Sequence, residues 1–303
     1  MSGERFPGPY ALWPVVLAGV AATSTASIFI RLADAPPIAT AAYRVALAAL
    51  IICPWAVLKK RERRVHPGSD LRLLLLSGSF LALHFIFWIT GLSLTSVASA
   101  VTLVNTTPLF TLLYSILFLG EKPGARLWLG IALAMAGSAI VTGIDFSIAR
   151  SELAGDLLAV LGAVMAAGYL SCGRVLRIRL DLSAYVFGTY GAAAVLLIAL
   201  SFAAGVPLRG FSPNTYFFLV MLALVPQLIG HTAFNWALRF LPPGVVAVLI
   251  LGEPAGASLL AWLFLGESVS LQKAAGLLLL GAGIVFGSAP AIRAADKVPE
   301  GPV

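Results

Sequence analysis

Ionisable side chains inside long apolar runs are the residues of this chain that could do chemistry. Glu253 lies in the middle of one run, directly before Pro254, and Arg44 lies near the middle of another. If these runs cross a bilayer, each charge should face a cavity or a partner, because burying it in lipid costs a few kcal/mol. Glu253 could carry a proton or bind an amine, or it could satisfy backbone groups freed by the proline ring. Arg44 could form a structural ion pair with Glu253, or it could attract a carboxylate with its fork of N–H donors.

Two histidines lie in apolar runs with a larger polar or aromatic side chain four positions later. The pairs are His84 with Trp88 and His231 with Asn235. Residues four apart share one face of a helix, so each pair should point in one direction. An imidazole can exchange a proton near neutral pH, which leaves a role in proton coupling open. The alternative is that each histidine only forms a hydrogen bond with a neighbouring helix.

Small polar side chains precede a second proline inside an apolar run. Asn105 and Thr107 come just before Pro108, where they could bind a ligand or bridge neighbouring helices. We expect Pro108 and Pro254 to act as hinges, since a proline interrupts the helical hydrogen-bond ladder. Aromatic side chains could line a cavity or face lipid, and we include Tyr169 among the candidates for a cavity wall.

An internal duplication organises these residues. The segment Leu117–Glu121 returns as Leu263–Glu267, 146 positions later. At the same offset, 12 of the 35 positions from Leu103 to Gly137 are identical, including Pro108 with Pro254. Apolar runs match by chance at leucine, but coincident Pro, Gly and Glu positions are much harder to obtain by accident. The chain is therefore expected to contain two homologous halves.

The composition is that of a membrane protein. Hydrophobic residues make up 60% of the 303 residues and charged residues only 11%, and the mean hydropathy is +0.97. So little polar surface cannot cover a soluble globule of this length. The net charge of +7 comes from short basic tracts between apolar runs, which is typical of loops at a membrane surface and not of a nucleic-acid interface.

The apolar runs are long enough for ten helices to cross a bilayer, since each crossing needs about 20 residues. The predicted helices are Tyr10–Leu32, Pro37–Leu58, Leu71–Leu92, Val97–Leu119, Gly124–Ile144, Glu152–Ser171, Leu182–Ala204, Asn214–Leu238, Pro243–Leu265 and Ser270–Ala289. The fold expected is all-α, with a first five-helix repeat over residues 10–144, a second over 152–289, and a cytoplasmic tail over 290–303.

The distribution of basic residues predicts the orientation. With a cytoplasmic N-terminus, fifteen Lys and Arg residues fall on the inner side and four on the outer side, while Arg44 lies within a span. This bias predicts that both termini are cytoplasmic. The two copies of the repeated segment end helices four and nine, so Glu121 should face the cytoplasm and Glu267 the outside. An odd number of crossings between the copies inverts the second half, which is the geometry of alternating access.

Three stretches carry a resemblance to a known family. They are Tyr43–Ala48, the segment from Pro108 to Glu121, and the segment from Glu253 to Glu267. Over roughly Trp13 to Ser288, the chain resembles the EamA-type family of the drug/metabolite transporter superfamily. The resemblance implies ten helices around a central cavity and export of small metabolites, often amino acids, including aromatic ones. It also implies that a Glu-Pro pair at the position of Glu253 and Pro254 is common among members of the family, whatever their substrate.

Other functions find less support in the sequence. An intramembrane enzyme needs a nucleophile with a base, a carboxylate pair or a metal constellation, and neither Gly-x-Ser-x-Gly nor His-Glu-x-x-His occurs. A channel would need a ring of charged side chains or a selectivity-filter sequence, and neither is visible in this chain. We therefore expect no catalytic residue, no metal and no cofactor. The expected partners are a small-molecule substrate and the lipid bilayer, with the proton as a candidate coupling ion; export of drugs or other metabolites, and facilitated diffusion, remain alternatives.

Overall fold

A computed structural model describes residues 8–58, 68–143, 152–265 and 270–296, and within these ranges the secondary structure is helical, without a β-strand. Ten of its helices are long and apolar enough to cross a membrane. We number them span 1 to span 10: Pro9–Ala33, Pro37–Leu58, Ser69–Leu94, Val97–Phe118, Ala125–Thr142, Leu153–Arg179, Leu182–Ala203, Pro213–Ala237, 243–265 and Leu271–Asp296. The predicted positions at Ile144, at Glu267 and in the tail beyond residue 296 lie outside the described ranges.

Spans 2, 3, 5, 6, 7 and 10 are continuous helices, and the other four are interrupted. Span 1 consists of Pro9–Thr23 and Ala26–Ala33, span 4 of Val97–Val104 and Thr107–Phe118, and span 9 of Pro243–Ile250 and Glu253–Leu265. Span 8 contains a π-helical turn, Ala223–His231, between Pro213–Leu222 and Thr232–Ala237. Interrupted helices leave backbone groups without helical partners, and in a membrane this is tolerated where the backbone lies against protein or a cavity.

The interruptions of spans 4 and 9 occupy equivalent places in the two repeats. Their second helical segments begin at Thr107 and Glu253, which are 146 positions apart, and Pro108 and Pro254 follow as the second residue of each segment. A proline in the first turn of a helix removes no hydrogen bond, and its fixed φ suits that position. Each expected hinge proline therefore starts a half-helix, and the break itself lies just before it.

Glycines bring span 5 and span 10 into close contact. A Cβ atom on Gly130 would lie 2.7 Å from the backbone nitrogen of Gly287, and one on Gly137 would lie 2.7 Å from the carbonyl oxygen of Gly276. Gly130 and Gly276 are equivalent in the two repeats. The small-residue faces of the fifth and tenth helices thus pack against each other within one chain.

Span 3 of the first repeat is joined to span 6 of the second at both ends. Near one membrane face, Arg179 forms an ion pair with the buried Asp70 at 3.5 Å. Near the other, Thr95 Oγ1 donates to Asp156 Oδ1 at 2.9 Å. Between them, Gly162 lets span 6 approach the backbone of Trp88, where an added Cβ would lie 3.3 Å from the Trp88 nitrogen. The two repeats are therefore interleaved rather than set side by side.

Span 10 extends further than predicted. It continues to Asp296, beyond the predicted end at Ala289, and Pro290 lies inside it. A helix can run through a proline when the carbonyl that loses its partner is satisfied otherwise.

Candidate functional site

A cavity lies at the centre of the helix bundle, between the interruptions of spans 1, 4 and 9. Its wall includes residues of spans 1, 2, 3, 4, 6, 8 and 9, whereas spans 5, 7 and 10 contribute none of the wall residues that the structure describes. Its volume, counted as the space open to the centres of water molecules, is about 70 Å³. A water molecule needs about 10–15 Å³ on this measure, so the cavity has room for several waters or a small polar molecule.

Eight of the nine residues that we selected from the sequence lie on this cavity wall. They are Arg44, His84, Trp88, Asn105, Thr107, Tyr169, His231 and Glu253, and the expected hinge Pro108 lies there too. The ninth, Asn235, is fully buried and is not a wall residue. Pro254 is buried beside Glu253 without lining the cavity.

Arg44 is held by neutral groups. Its side chain is 1% exposed, its Nε donates to the side-chain oxygen of Gln227 at 2.7 Å, and its guanidinium carbon lies 4.2 Å from the centre of the Phe85 ring. Its Nη1 has no hydrogen-bond partner in the described chain. A buried donor without an acceptor is rare in native proteins, and Arg44 is also one of the residues of the cavity wall.

Glu253 starts the second half of span 9. Its backbone carbonyl accepts from Ser24 Oγ at 2.9 Å, which joins the break in span 9 to the break in span 1. Among the described residues, no side chain donates a hydrogen bond to the Glu253 carboxylate or forms an ion pair with it. The start of a helix carries partial positive charge, which favours a carboxylate there. The ion pair with Arg44, one of the two alternatives considered from the sequence, is not formed among the described residues, where Arg44 Nε donates to Gln227.

His84 and Trp88 form one side of the cavity. Their rings are parallel within 2°, with centroids 6.0 Å apart, as their shared helix face predicts. His84 Nδ1 lies 2.9 Å from the carbonyl oxygen of Gly162 in span 6, and because a carbonyl only accepts, Nδ1 carries the proton. The indole N–H of Trp88 has no acceptor within the described ranges. It is a second buried donor, on a residue of the cavity wall, that has no partner in the described chain.

His231 and Tyr169 form the facing side. The His231 ring lies 5.5 Å from that of Phe85, edge to face, and 6.3 Å from that of Tyr169. Tyr169 donates its hydroxyl to Asn235 Oδ1 at 2.7 Å, and Asn235 Nδ2 donates to Tyr190 at 3.2 Å. Asn235 thus lies behind the wall and fixes Tyr169, which differs from the sequence-based expectation that it lines the cavity.

Asn105 and Thr107 combine a place on the wall with a structural contact. Asn105 Nδ2 donates to Ser138 Oγ in span 5 at 2.9 Å, which is the helix-bridging alternative considered from the sequence. Thr107 Oγ1 donates to the carbonyl oxygen of Val104 at 2.6 Å, so it satisfies a carbonyl at the end of the first half-helix.

Comparison with known proteins agrees with this architecture. The model of the EamA-like transporter family matches residues 10–143 and again residues 153–288. The chain belongs to this family. Two similar proteins are named only as uncharacterized transporters. One, YxxF of Bacillus subtilis, is 26% identical over 219 residues, which cover 72% of this chain and 70% of that protein. The other, from Archaeoglobus fulgidus, is 26% identical over 270 residues, covering 86% and 92%.

A solved crystal structure shares the fold. It superposes with a TM-score of 0.77 over 94% of this chain and 99% of its own, at 19% sequence identity. Together with the family match, the ten membrane-spanning helices make the protein a multi-pass membrane transporter with two five-helix repeats. As a member of a transporter family, it carries a small-molecule substrate across a lipid bilayer.

Two polar residues that support the site of this EamA family member were not among the candidates selected from the sequence. Gln227 is fully buried in span 8, and Ser24 is buried at the break in span 1. Gln227 carried a usable signal, because an amide in an apolar span directly after Pro226 needs a partner. Ser24 did not, since serine occurs in many membrane helices and can bond to its own backbone.

The arrangement is suited to binding a small molecule. Within the described ranges, no three His, Cys, Asp or Glu side chains are grouped as metal ligands. The cavity presents one cation, one carboxylate and an indole donor on an aromatic wall. These are groups that recognise a charged small molecule.

Proposed function

We propose that this transporter exports amino acids, including aromatic ones, across the cytoplasmic membrane by alternating access. The observation that carries the proposal is that Arg44 and Glu253 share one cavity and are not paired with each other. A ligand with both a carboxylate and an ammonium group would pair with both.

Charge balance favours a zwitterion over an ion of either sign. A buried charge that loses water without gaining a partner is costly. A simple amine would leave the Arg44 guanidinium unpaired, and a simple acid would leave the Glu253 carboxylate unpaired. An α-amino acid pairs both, and its carboxylate could also accept from the Trp88 indole N–H.

The wall supports an apolar or aromatic substrate side chain. Trp88, Tyr169 and Phe234 line the cavity together with several aliphatic residues. The volume of about 70 Å³ suits a small amino acid directly. An aromatic side chain requires the cavity to widen, which an opening movement toward either membrane face would supply.

The duplication supports alternating access. We propose that the first repeat covers residues 10–144 and the second 152–289. Residues 290–303 would then lie on the cytoplasmic side, with 290–296 continuing the helix of span 10. Equivalent half-helices begin at Thr107 and Glu253, and in an inverted pair these starts approach one cavity from opposite sides. With both termini cytoplasmic, as the basic loops predict, substrate would enter from the cytoplasm and leave on the outer side.

Protons are the proposed coupling ion, with Glu253 as the carrier. The same carboxylate cannot hold a proton and an ammonium group at once. If Glu253 exchanges one for the other, an inward proton gradient drives the amino acid outward. Glu253 lies on the cavity wall. No described side chain donates a hydrogen bond to its carboxylate, which therefore remains able to accept a proton.

Counterflow into liposomes containing the purified protein tests the substrate class. The competitors should share one carbon skeleton: phenylalanine, phenylethylamine without the carboxylate, and 3-phenylpropionate without the ammonium group. We expect phenylalanine to compete at least about tenfold better than either, because each analogue loses a charge-assisted hydrogen bond. Equal competition by all three would contradict the proposal. Competition by phenylethylamine and cationic drugs alone would indicate a drug exporter.

A further inference from the structure

Gln227 occupies the irregular part of span 8. The turn from Ala223 to His231 is π-helical and contains Pro226. Such turns are rare and concentrate at functional sites, because the wider turn redirects side chains and leaves carbonyls open to other donors. Here the Gln227 carbonyl oxygen accepts from the Thr232 hydroxyl at 3.3 Å and lies 3.5 Å from the Tyr190 hydroxyl.

The Gln227 side chain meets Arg44 from behind the cavity. Its oxygen accepts from Arg44 Nε at 2.7 Å, while its amide nitrogen has no acceptor in the described chain. Gln227 is 0% exposed and is not a wall residue. Its only side-chain hydrogen bond among the described residues is therefore the one to Arg44.

Two contacts fix the plane of the guanidinium. The bond at Nε fixes one edge, and Phe85 covers one face, with its ring centre 4.2 Å from the guanidinium carbon. Since the five N–H groups of arginine form a rigid planar fork, fixing one edge and one face also fixes the direction of Nη1. Among the described residues, that nitrogen has no hydrogen-bond partner.

We infer that Gln227 is a positioning residue, which orients Arg44 toward the substrate carboxylate and leaves the Arg44 charge unneutralised. The inference rests on the proposed function. A carboxylate at position 227 would bind the guanidinium as strongly but cancel its charge, whereas an amide accepts the hydrogen bond without doing so. Gln227 thereby favours ligands that bring a carboxylate of their own.

Two substitutions test this role, with phenylalanine and phenylethylamine as probes in the counterflow assay. Gln227→Met keeps the volume but removes the acceptor, and we expect the KM for phenylalanine to rise about tenfold while the maximal rate changes little. The inhibition constant of phenylethylamine should stay within about twofold, because it has no carboxylate for Arg44 to bind. Ser288→Ala is the control, because Ser288 is equally buried and bonds only within span 10, to the carbonyl of Ile284.

Gln227→Glu makes a prediction of opposite sign for the two probes. Neutralising Arg44 should lower the affinity for phenylalanine about tenfold or more. It should raise the affinity for phenylethylamine several-fold, because the Glu253 carboxylate is then the only charged group in the pair that is not neutralised. This reversal keeps the test decisive even if Gln227→Met does not fold. Unchanged phenylalanine affinity in either folded variant, or an equal loss for both probes, would overturn the role of Gln227. Failure of the wild-type protein to prefer phenylalanine would instead overturn the proposed substrate class.

Discussion

Opposite charges share the central cavity without contact, and neutral groups make this possible. Arg44 is supported by Gln227 and Phe85, and Glu253 lies at the positive end of a half-helix. Each charge is thus stabilised inside the membrane by groups other than the opposite charge. The substrate can then complete both pairs.

Replacing Glu253 by Gln separates function from stability. Gln keeps the shape but cannot exchange a proton, so we expect loss of amino acid accumulation driven by a pH gradient. The melting temperature in detergent should shift by only a few degrees, because no described residue donates to the carboxylate. Uptake with and without an imposed gradient measures the effect. Normal gradient-driven transport by this variant would show that the charge is dispensable.

Trp88→Phe removes one donor and keeps the aromatic wall. The indole N–H has no partner in the described chain, so the folded protein loses no hydrogen bond. If the substrate carboxylate uses this donor, the KM for phenylalanine should rise roughly five- to tenfold, the loss of about 1 kcal/mol. Trp128→Phe serves as the control, since Trp128 is 43% exposed on the outside of span 5. Equal KM values in both variants would count against a carboxylate contact.

The sequence singled out polar and aromatic side chains at membrane depth, and eight of the nine lie on the cavity wall. It did not indicate which of them face the cavity or what they touch. Counting residues along spans gives the depth of Arg44 and Glu253, which is why an ion pair was a reasonable expectation. It does not give the direction of each side chain around its helix. That direction depends on the π-helical turn, which presents Gln227 to Arg44.

Helices in this protein divide between packing and binding. Spans 5 and 10 form a close pair away from the cavity, whereas the interrupted spans 1, 4, 8 and 9 all contribute to its wall. Backbone irregularity is therefore concentrated where a ligand would bind. The continuous spans 2, 3 and 6 supply further wall residues, among them Arg44, His84 and Tyr169.

Gly283→Val should destabilise the pair of spans 5 and 10. A Cβ atom at Gly283 would lie 2.8 Å from the carbonyl oxygen of Gly130, whereas one at Gly281 would meet no atom within 4 Å. Overpacking of this kind costs about 1–3 kcal/mol. We therefore expect a clearly lower melting temperature for Gly283→Val than for Gly281→Val, which makes the same change in helix propensity. Equal melting temperatures would mean that the two helices do not depend on this contact.

A crosslink between spans 3 and 6 should be compatible with transport. Thr95 and Asp156 are in contact, and the ion pair at the other end of these spans suggests that they move as one body. Cysteines at both positions, in a chain with Cys53 and Cys172 replaced by Ser, can be joined by a short reagent. We expect crosslinked and reduced protein to transport at similar rates. Inhibition that reverses on reduction would place a moving boundary between these spans.

The helices were more predictable than their interruptions. The third apolar run was expected at Leu71–Leu92 and forms Ser69–Leu94, because length and hydropathy define a span well. Pro108 and Pro254 marked two of the breaks. The break at Ser24 has no proline beside it and could not be predicted from local sequence. The π-helical turn contains Pro226, but a proline does not by itself indicate this type of turn.

The whole molecule combines an inverted duplication with interleaved packing. Strong contacts join spans of different repeats, such as 3 with 6 and 5 with 10. A movement that separates the first repeat from the second as rigid halves would have to break them. We therefore propose that the moving bodies are bundles that each contain helices of both repeats, rocking about the cavity.

Distances between spans 3 and 8 test this account most directly, because these equivalent helices carry facing parts of the wall. Spin labels at Leu71 and Trp236 report the inner ends, and labels at Leu94 and Asn214 report the outer ends. On addition of a saturating amino acid, we predict that one pair moves closer while the other moves apart. Unchanged distances, or changes of the same sign at both ends, would contradict alternating access around this cavity.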